Sequence, residues 1–427
     1  MKIPNKNNKL KSLVLSIYLD NFSNDFASHK ILEAINLTKS LNIDVLHSEF
    51  LKLRNPSPGF FLSKGLILKF KKIIIENKID LLIFNNDLTP IQQRNLEKIY
   101  NLKVIDRTHL ILEIFGERAN THEGKLQVEL AHLLYQKSRL VKTWTHLERQ
   151  RGGFGFLGGP GETQLELDKR MLSQRIKKIQ FLLNKVKNTR SIQSKNRINN
   201  NIVIVSIVGY TNAGKSTLFN KLLSEKVLSK NMLFSTLDPT RRILKTKSNH
   251  RVIISDTVGF ISDLPTELIE SFKSTLEEIS SSHIVLHVRD LSSPYFISES
   301  KDVYNVLSKI DKNIENKTIE IFNKVDLLNN FDSKSLYVEN GIFVSAKNGT
   351  GIDQIKFAID KELDEKYLTT KLIFKKSYGQ ITNWLYENCK IISKKVNNLD
   401  NYQYKVKITK IDLEKLKSKF PNIKVAK

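Results

Sequence analysis

The sequence predicts an α/β chain centred on a P-loop domain: a six-stranded, mostly parallel sheet with helices on both faces. A small α/β domain and a helical hairpin precede it, and a small C-terminal α/β module follows. Three observations carry that expectation. An apolar run over residues 202–208 enters a glycine-framed loop that opens into a helical pattern. Three more loops with phosphate- or base-contacting residue types follow strand-like runs downstream. Upstream, strand and helix signals alternate and then give way to a purely helical period.

Residues 12–19, 45–50, 79–84 and 103–105 read as strands, and 29–41, 66–76 and 90–100 as helices, so residues 1–118 form the first α/β domain. Residues 119–195 form the hairpin. One apolar stripe runs through Leu126, Leu130, Leu133, Leu134, Leu140, Val141, Trp144 and Leu147. From near Glu162 a second helix repeats Leu172, Ile176, Ile179, Leu183 and Val186 in alternating steps of four and three, a heptad seam. The connector over residues 149–161 (RQRGGFGFLGGPG) is rich in glycine and holds Arg149, Arg151, Phe154 and Phe156. Basic side chains steer toward phosphates and phenylalanines stack on unpaired bases, so this tip, with Lys169 and Arg170 beside it, is the expected RNA contact. From 137 to 190 there are thirteen Lys/Arg against four Asp/Glu, a local excess. Residues 191–201 (SIQSKNRINNN) are polar and aperiodic, and are expected to be the linker into the next domain.

That domain, residues 200–366, carries the chemistry. The loop Gly209-Tyr210-Thr211-Asn212-Ala213-Gly214-Lys215-Ser216, followed by Thr217, is a P-loop in its required strand–loop–helix setting. Its backbone N–H groups converge on phosphate oxygens, Lys215 reaches the outer phosphates, and Ser216 can ligate Mg²⁺. The strand-like run 252–255 ends in Asp256-Thr257-Val258-Gly259, where Asp256 is placed to hold Mg²⁺ through water and the Gly259 amide to sense a γ-phosphate. Residues 318–322 lead into Asn323-Lys324-Val325-Asp326; the Asp326 carboxylate can accept two hydrogen bonds from the N1 and N2 edge of guanine, which adenine cannot supply. Residues 341–344 lead into Ser345-Ala346-Lys347, whose backbone can contact the base carbonyl. Between the first two motifs, Phe234-Ser235-Thr236-Leu237-Asp238 with Thr240 offers two threonines able to close over Mg²⁺, ahead of a strand at 241–246. The expected catalytic groups are Lys215, the closing threonine and Gly259. Residues 370–427 form the last module, with strands at 372–375, 390–394 and 402–409 and helices at 379–387 and 412–420.

The formal net charge of +25 points to an anionic partner, although abundant Lys, Asn and Ile also suggest compositional drift. A single cysteine excludes an internal disulfide framework. No apolar run is long enough to span a membrane, and residues 1–10 lack a signal core, so a cytoplasmic monomer is expected.

Residues 106–170, above all Gly158 to Glu166 (GGPGETQLE), with GYTNAGKSTLFN at 209–220, FSTLDPT at 234–240 and DTVGFISDLPTELIESFKSTLEE at 256–278, closely resemble the HflX GTPases. The resemblance covers most of residues 81–351. It implies GTP hydrolysis with Mg²⁺, binding to the large (50S) ribosomal subunit and its rRNA, and splitting or rescue of stalled or idle ribosomes. It implies that the hairpin tip reaches toward the peptidyl-transferase centre and that Thr236 is the Mg²⁺ threonine. Two departures are Gly59 to Gly65, poorer in glycine than usual, and Arg289, where an apolar residue is usual. Ras-type GTPases place a water-orienting glutamine where this chain has Phe260, so intrinsic hydrolysis is expected to be slow. Asn212 is the position beside which some GTPases bind K⁺. The competing reading is a GTP-dependent RNA-binding switch or regulator whose slow hydrolysis merely resets it.

Overall fold

The computed structural model describes residues 9–18, 24–150, 164–199, 203–223, 234, 236–237, 240–246, 251–328, 341–365, 367–375, 379–396, 401–421 and 423–426. The first unit alternates β1 (Lys11–Tyr18), α1 (Asn24–Ser40), β2 (Asp44–Lys52), α2 (Lys64–Glu76), β3 (Leu81–Phe84), α3 (Pro90–Tyr100) and β4 (Lys103–Ile105). The sheet order is β2-β1-β3-β4 and every pair is parallel. Strands β1 and β3 are buried along almost their whole length because helices cover both of their faces. Helix α3 starts on a capping box: Thr89 and Gln92 satisfy each other's backbone N–H, and Pro90 occupies the first turn, where no N–H is missed.

A helix not anticipated from sequence, α4 (Arg107–Arg118), follows β4. Asp106 caps it by accepting the His109 N–H at 2.8 Å. Then come α5 (His122–Gln150) and α6 (Gln164–Asn199), which pack along Leu126, Leu130, Leu133, Ile176 and Ile179. Helix α6 runs on through 191–199, which the sequence presents as aperiodic, and 200–201 lie outside the described residues. Residues 191–199 hold no Gly or Pro, and extending a helix from an already packed seam costs little. Arg149 lies in the last turn of α5 and its side chain is outside the described residues, as are Arg151, Phe154 and Phe156. Lys169 is half-buried and Arg170 exposed on α6.

The central unit comprises β5 (Val203–Gly209), α7 (Lys215–Leu223), β6 (Thr240–Lys245), β7 (Arg251–Asp256), α8 (Thr266–Ser271), α9 (Lys273–Ser280), β8 (Ile284–Asp290), α10 (Phe296–Leu307), β9 (Thr318–Asn323), β10 (Gly341–Phe343) and α11 (Ile352–Glu365). Its six strands run in the order β10-β9-β8-β5-β7-β6, all parallel except the edge strand β6. The fold is thus the P-loop α/β fold that the sequence predicts. Arg289, at the end of β8, pairs with Glu320 at 3.3 Å and lies over the Phe296 and Phe322 rings, so it is accommodated as an ion pair stacked on aromatics.

The last unit is β11 (Tyr367–Lys375), α12 (Gly379–Asn388), β12 (Lys390–Val396), β13 (Asn401–Thr409), α13 (Lys410–Lys419) and β14 (Lys424–Ala426). Its antiparallel sheet has the order β12-β13-β11-β14. Strand β14 and the earlier start of β11 were not legible in sequence. A single apolar core joins the first and central units. Phe115 of α4 meets Phe234 edge-on at 4.7 Å and Phe272 at 5.2 Å, and Tyr135, Tyr210, Phe260, Ile261 and Leu268 are buried in the same cluster.

Candidate nucleotide site

A cleft of about 520 Å³ opens at the C-terminal ends of β5, β7 and β9. This is where open α/β sheets bind ligands. It is lined by Thr211, Asn212, Gly214, Lys215, Ser216 and Thr217 from the loop after β5, and by Phe234, Thr236, Thr257 and Gly259 from the next two loops. Asn323, Lys324, Asp326, Ala346 and Lys347 line its far end. Four motifs that are far apart in sequence thus share one cavity.

The loop conformation explains its glycines. Gly214 has φ +91°, and a Cβ there would sit 2.3 Å from Asn323 Nδ2. Asn323 is the brace: its Nδ2 donates to the Ala213 carbonyl at 2.8 Å, and its Oδ1 accepts the Ala346 N–H at 2.9 Å. One buried side chain therefore ties the phosphate loop to the base loop. Helix α7 begins at Lys215, so its first-turn N–H groups have no acceptor within the helix.

The Lys215 amine is buried and donates to the Tyr210 carbonyl at 2.7 Å. Burial pushes it down to about 8, with the Asp256 carboxylate partly opposing. At the neighbouring position three oxygens converge. The Ser216 hydroxyl lies 2.7 Å from Asp256 Oδ2 and 2.9 Å from the Thr236 hydroxyl, which is itself 2.9 Å from Asp256 Oδ2. Among the described residues Asp256 Oδ1 is buried without a hydrogen-bond partner, and burial pushes its carboxyl above the usual range. Two hydroxyls, one carboxylate and an orphaned carboxylate oxygen form the all-oxygen donor set that a hard divalent cation takes. Thr236 fills the place that the resemblance implies; Thr240 instead opens β6.

Gly259 lies against Lys215. A Cβ there would come within 2.9 Å of Thr211 Cγ2 and 3.0 Å of Lys215 Nζ. At the base end, Lys324 takes a left-handed conformation (φ 66°) and its amine pairs with Asp290 at 2.6 Å. Asp326 is exposed and accepts the Ser345 hydroxyl at 2.6 Å.

Several expected contacts are not presented by side chain. Ala213 and Leu237 are core residues, Val258 packs against the core, Ser345 is buried beneath Asp326, and Gly209 closes β5; these have only backbone to offer. The Tyr210 side chain turns away from the cleft: its hydroxyl accepts the Ser262 N–H at 2.9 Å and donates to Glu33 at 3.2 Å. Ser235 and Asp238 lie outside the described residues. Sequence reasoning missed Leu327, which lines the base end and is 58% exposed; its place directly after Asp326 was the available signal. It also missed the group holding the Gly259 loop. Arg107 donates to Glu33 and to the Ser262 carbonyl, both at 2.9 Å, and Lys30 bonds the Ser262 hydroxyl and Asp263, both at 2.6 Å. Phe260 is 3% exposed and zipped to the phosphate loop, its carbonyl accepting the Thr211 N–H at 2.7 Å.

Similar proteins converge on the same chemistry. Residues 28–116 match the family described as GTP-binding GTPase N-terminal, 118–197 the GTP-binding GTPase Middle Region, and 204–324 the 50S ribosome-binding GTPase. The chain is 41% identical over 377 residues to the GTPase HflX of Magnetococcus marinus, covering 88% of this chain and 86% of that protein. It is 38% identical over 381 residues to the GTPase HflX of Escherichia coli K12, covering 88% of each. A GTP-binding protein from Sulfolobus solfataricus, solved with GDP, aligns over 83% of this chain and 99% of its own at 24% identity and a TM-score of 0.44. On the two HflX relatives and the three family matches, the chain belongs to the GTPase HflX family and is a GTP hydrolase.

Proposed function

We propose that GTP binds with Mg²⁺ between Lys215 and Asp326, that hydrolysis is slow in the free protein, and that the large ribosomal subunit both completes the catalytic arrangement and is the object of the cycle, stalled or idle ribosomes being split. The observation that carries the slow-cycle reading is Phe260. It occupies the position of a water-orienting residue, yet its ring is apolar and buried in the core shared with the first unit. Among the described residues, no side chain lining the cleft is placed to take over that role as a carboxylate or imidazole base, Asp326 standing at the base end.

On binding, the Lys215 amine exchanges the Tyr210 carbonyl for phosphate oxygens. The first-turn N–H groups of α7 and the N–H groups of the phosphate loop hold the same oxygens. Ser216, Thr236 and Asp256 are the residues that would hold Mg²⁺, Asp256 through water, and the ion would offset charge developing on the phosphates. The Gly259 amide senses the γ-phosphate, and Thr236 closes its loop over it. Asp326 turns from the Ser345 hydroxyl to the N1 and N2 protons of guanine, while the backbone of Ser345, Ala346 and Lys347 faces the base carbonyl. Asn212, which lines the cleft, would be the residue to hold K⁺; turnover that is identical in KCl and NaCl removes it from that role.

The ribosomal part is supported by the family description matched by residues 204–324, and by the basic hairpin carrying Arg149, Arg151, Phe154, Phe156, Lys169 and Arg170. Sedimentation with purified large subunits tests it. Pelleting is expected with a non-hydrolysable GTP analogue and reduced with GDP, with phosphate release faster when subunits are present. Equal pelleting in both nucleotide states, or equal turnover with and without subunits, overturns the proposal.

A further inference from the structure

The nucleotide cleft and the hairpin leave the last unit without a role. Its strand–helix–strand–strand–helix–strand order and its sheet order are those of the ferredoxin-like split βαβ arrangement. Helices α12 and α13 pack on one sheet face, over Leu372, Phe374, Tyr404, Val406 and Ile408. Alternation along the strands puts Lys371, Lys375, Lys395, Lys405, Lys407 and Lys424 on the other face, all exposed except the half-buried Lys407. Lys371 and Lys405 are directly opposite neighbours on β11 and β13, a like-charge pairing that costs stability in isolation. Among the described residues, Lys407 alone of the six has an ion-pair partner, Asp364 at 3.0 Å.

The segregation is sharper than compositional drift produces. The four strands contain eight lysines and no aspartate or glutamate. At the chain-wide frequency of 44 acidic residues in 427, about three would fall in these strands. Drift adds lysine; it does not strip carboxylates from one sheet while leaving Asp412 and Glu414 on α13.

We infer that this face binds the phosphate backbone of structured RNA, a contact separate from the nucleotide site and the hairpin tip. Four-stranded sheets of this kind serve elsewhere as RNA platforms, an analogy of fold that sets a direction and no more. The side chains decide the mode. Of the outward-facing positions whose side chains are described none is aromatic, Tyr367 at the start of β11 lying outside them, so these positions do not stack unpaired bases. Ile373, half-buried, and Ile392, exposed at the register shift in β12, are too little apolar surface to insert into a lipid surface. What remains is a lattice of ammonium groups at strand spacing, suited to a charged backbone.

The test uses full-length protein, a fluorescent RNA duplex of about 20 base pairs and a KCl titration read by anisotropy. A Lys371→Gln/Lys405→Gln/Lys424→Gln triple variant is compared with a Lys415→Gln/Lys417→Gln/Lys419→Gln triple on α13, which removes the same charge from the helical face. Each phosphate contact contributes about 0.7–0.9 to the slope of log affinity against log salt, so the sheet variant should lower the slope by about two and the affinity by tenfold or more. The α13 variant should stay near wild type. Unchanged GTP affinity in both variants shows that the chain is folded. Equal losses in the two variants, or a wild-type slope in the sheet variant, overturn the inference. So does loss of binding to phosphatidylserine vesicles with RNA binding intact. Because the probe is free RNA, a chain that fails to pellet with ribosomes can still pass this test, and the reverse.

Discussion

Raising the pH from 7 to 8.5 perturbs one buried amine in the cleft. Lys215 is held down to about 8 by burial, against an ordinary value of 10.5. Phosphate oxygens placed against that amine favour its charged form and return it toward the ordinary range. The complex therefore binds more protons than the free protein above pH 7, and GTP affinity must fall as pH rises. With a free-state value of 8, Lys215 carries about nine-tenths of a proton at pH 7, half at pH 8 and a quarter at pH 8.5. The ratio of those populations predicts a weakening of about fourfold between pH 7 and 8.5. Stability runs the other way. The folded value lies below the unfolded one, so the empty protein gains stability as pH rises from about 8 toward 10.5, and the GTP-bound protein does not. Isothermal titration at pH 8 in two buffers of different ionisation enthalpy reads the uptake directly: about half a proton per GTP. Affinity that is flat from pH 7 to 8.5, with no buffer-dependent heat, would show that the amine is already charged in the free protein and refute the reasoning.

Three other outcomes follow from the same geometry. Asp326→Asn exchanges a double acceptor for a group that presents a donor to guanine N1 or N2; GTP should weaken by tenfold to a hundredfold and xanthosine triphosphate should gain, measured by competition. Gly259→Ala places a methyl group against Thr211 and Lys215, an overpacking of about 1–3 kcal/mol that falls on the triphosphate state; GTP affinity and turnover should drop about tenfold with GDP within threefold, followed by nucleotide titration and phosphate release. Arg107→Met leaves Glu33 buried without its cation and should cost about 3–5 kcal/mol in thermal or denaturant unfolding, while the Arg107→Met/Glu33→Gln double variant should lose clearly less than the sum of the two singles.

What the sequence disclosed and what it hid divide along one physical line. The residues at and beside the cleft were legible because each sits within a few positions of a strand end, and strand, loop and helix are set by local pattern: Gly214, Lys215, Asp256 and Asp326 were placed by spacing alone. Their supports were not. Asn323 joins Ala213 to Ala346, more than a hundred positions from the first, and no periodicity encodes that bond. Helix α4 was invisible as a separate element because β4 before it is only three residues long and a helical period follows it closely. The aperiodic stretch after residue 190 was misread because polarity was weighed above the absence of any helix breaker. The deepest gap concerns Tyr210. In sequence it is one more residue of the phosphate loop; in the fold its ring leaves the cleft, and its hydroxyl joins Glu33 of the first unit to Ser262 of the loop that follows Gly259. One residue of the phosphate loop is therefore bonded to the segment that follows Gly259 and to the first unit packed over it. Any shift of the Gly259 loop must break or carry along a buried group made of Glu33, Arg107 and Lys30, so the first unit is bonded directly to the loop beside the cleft through Ser262.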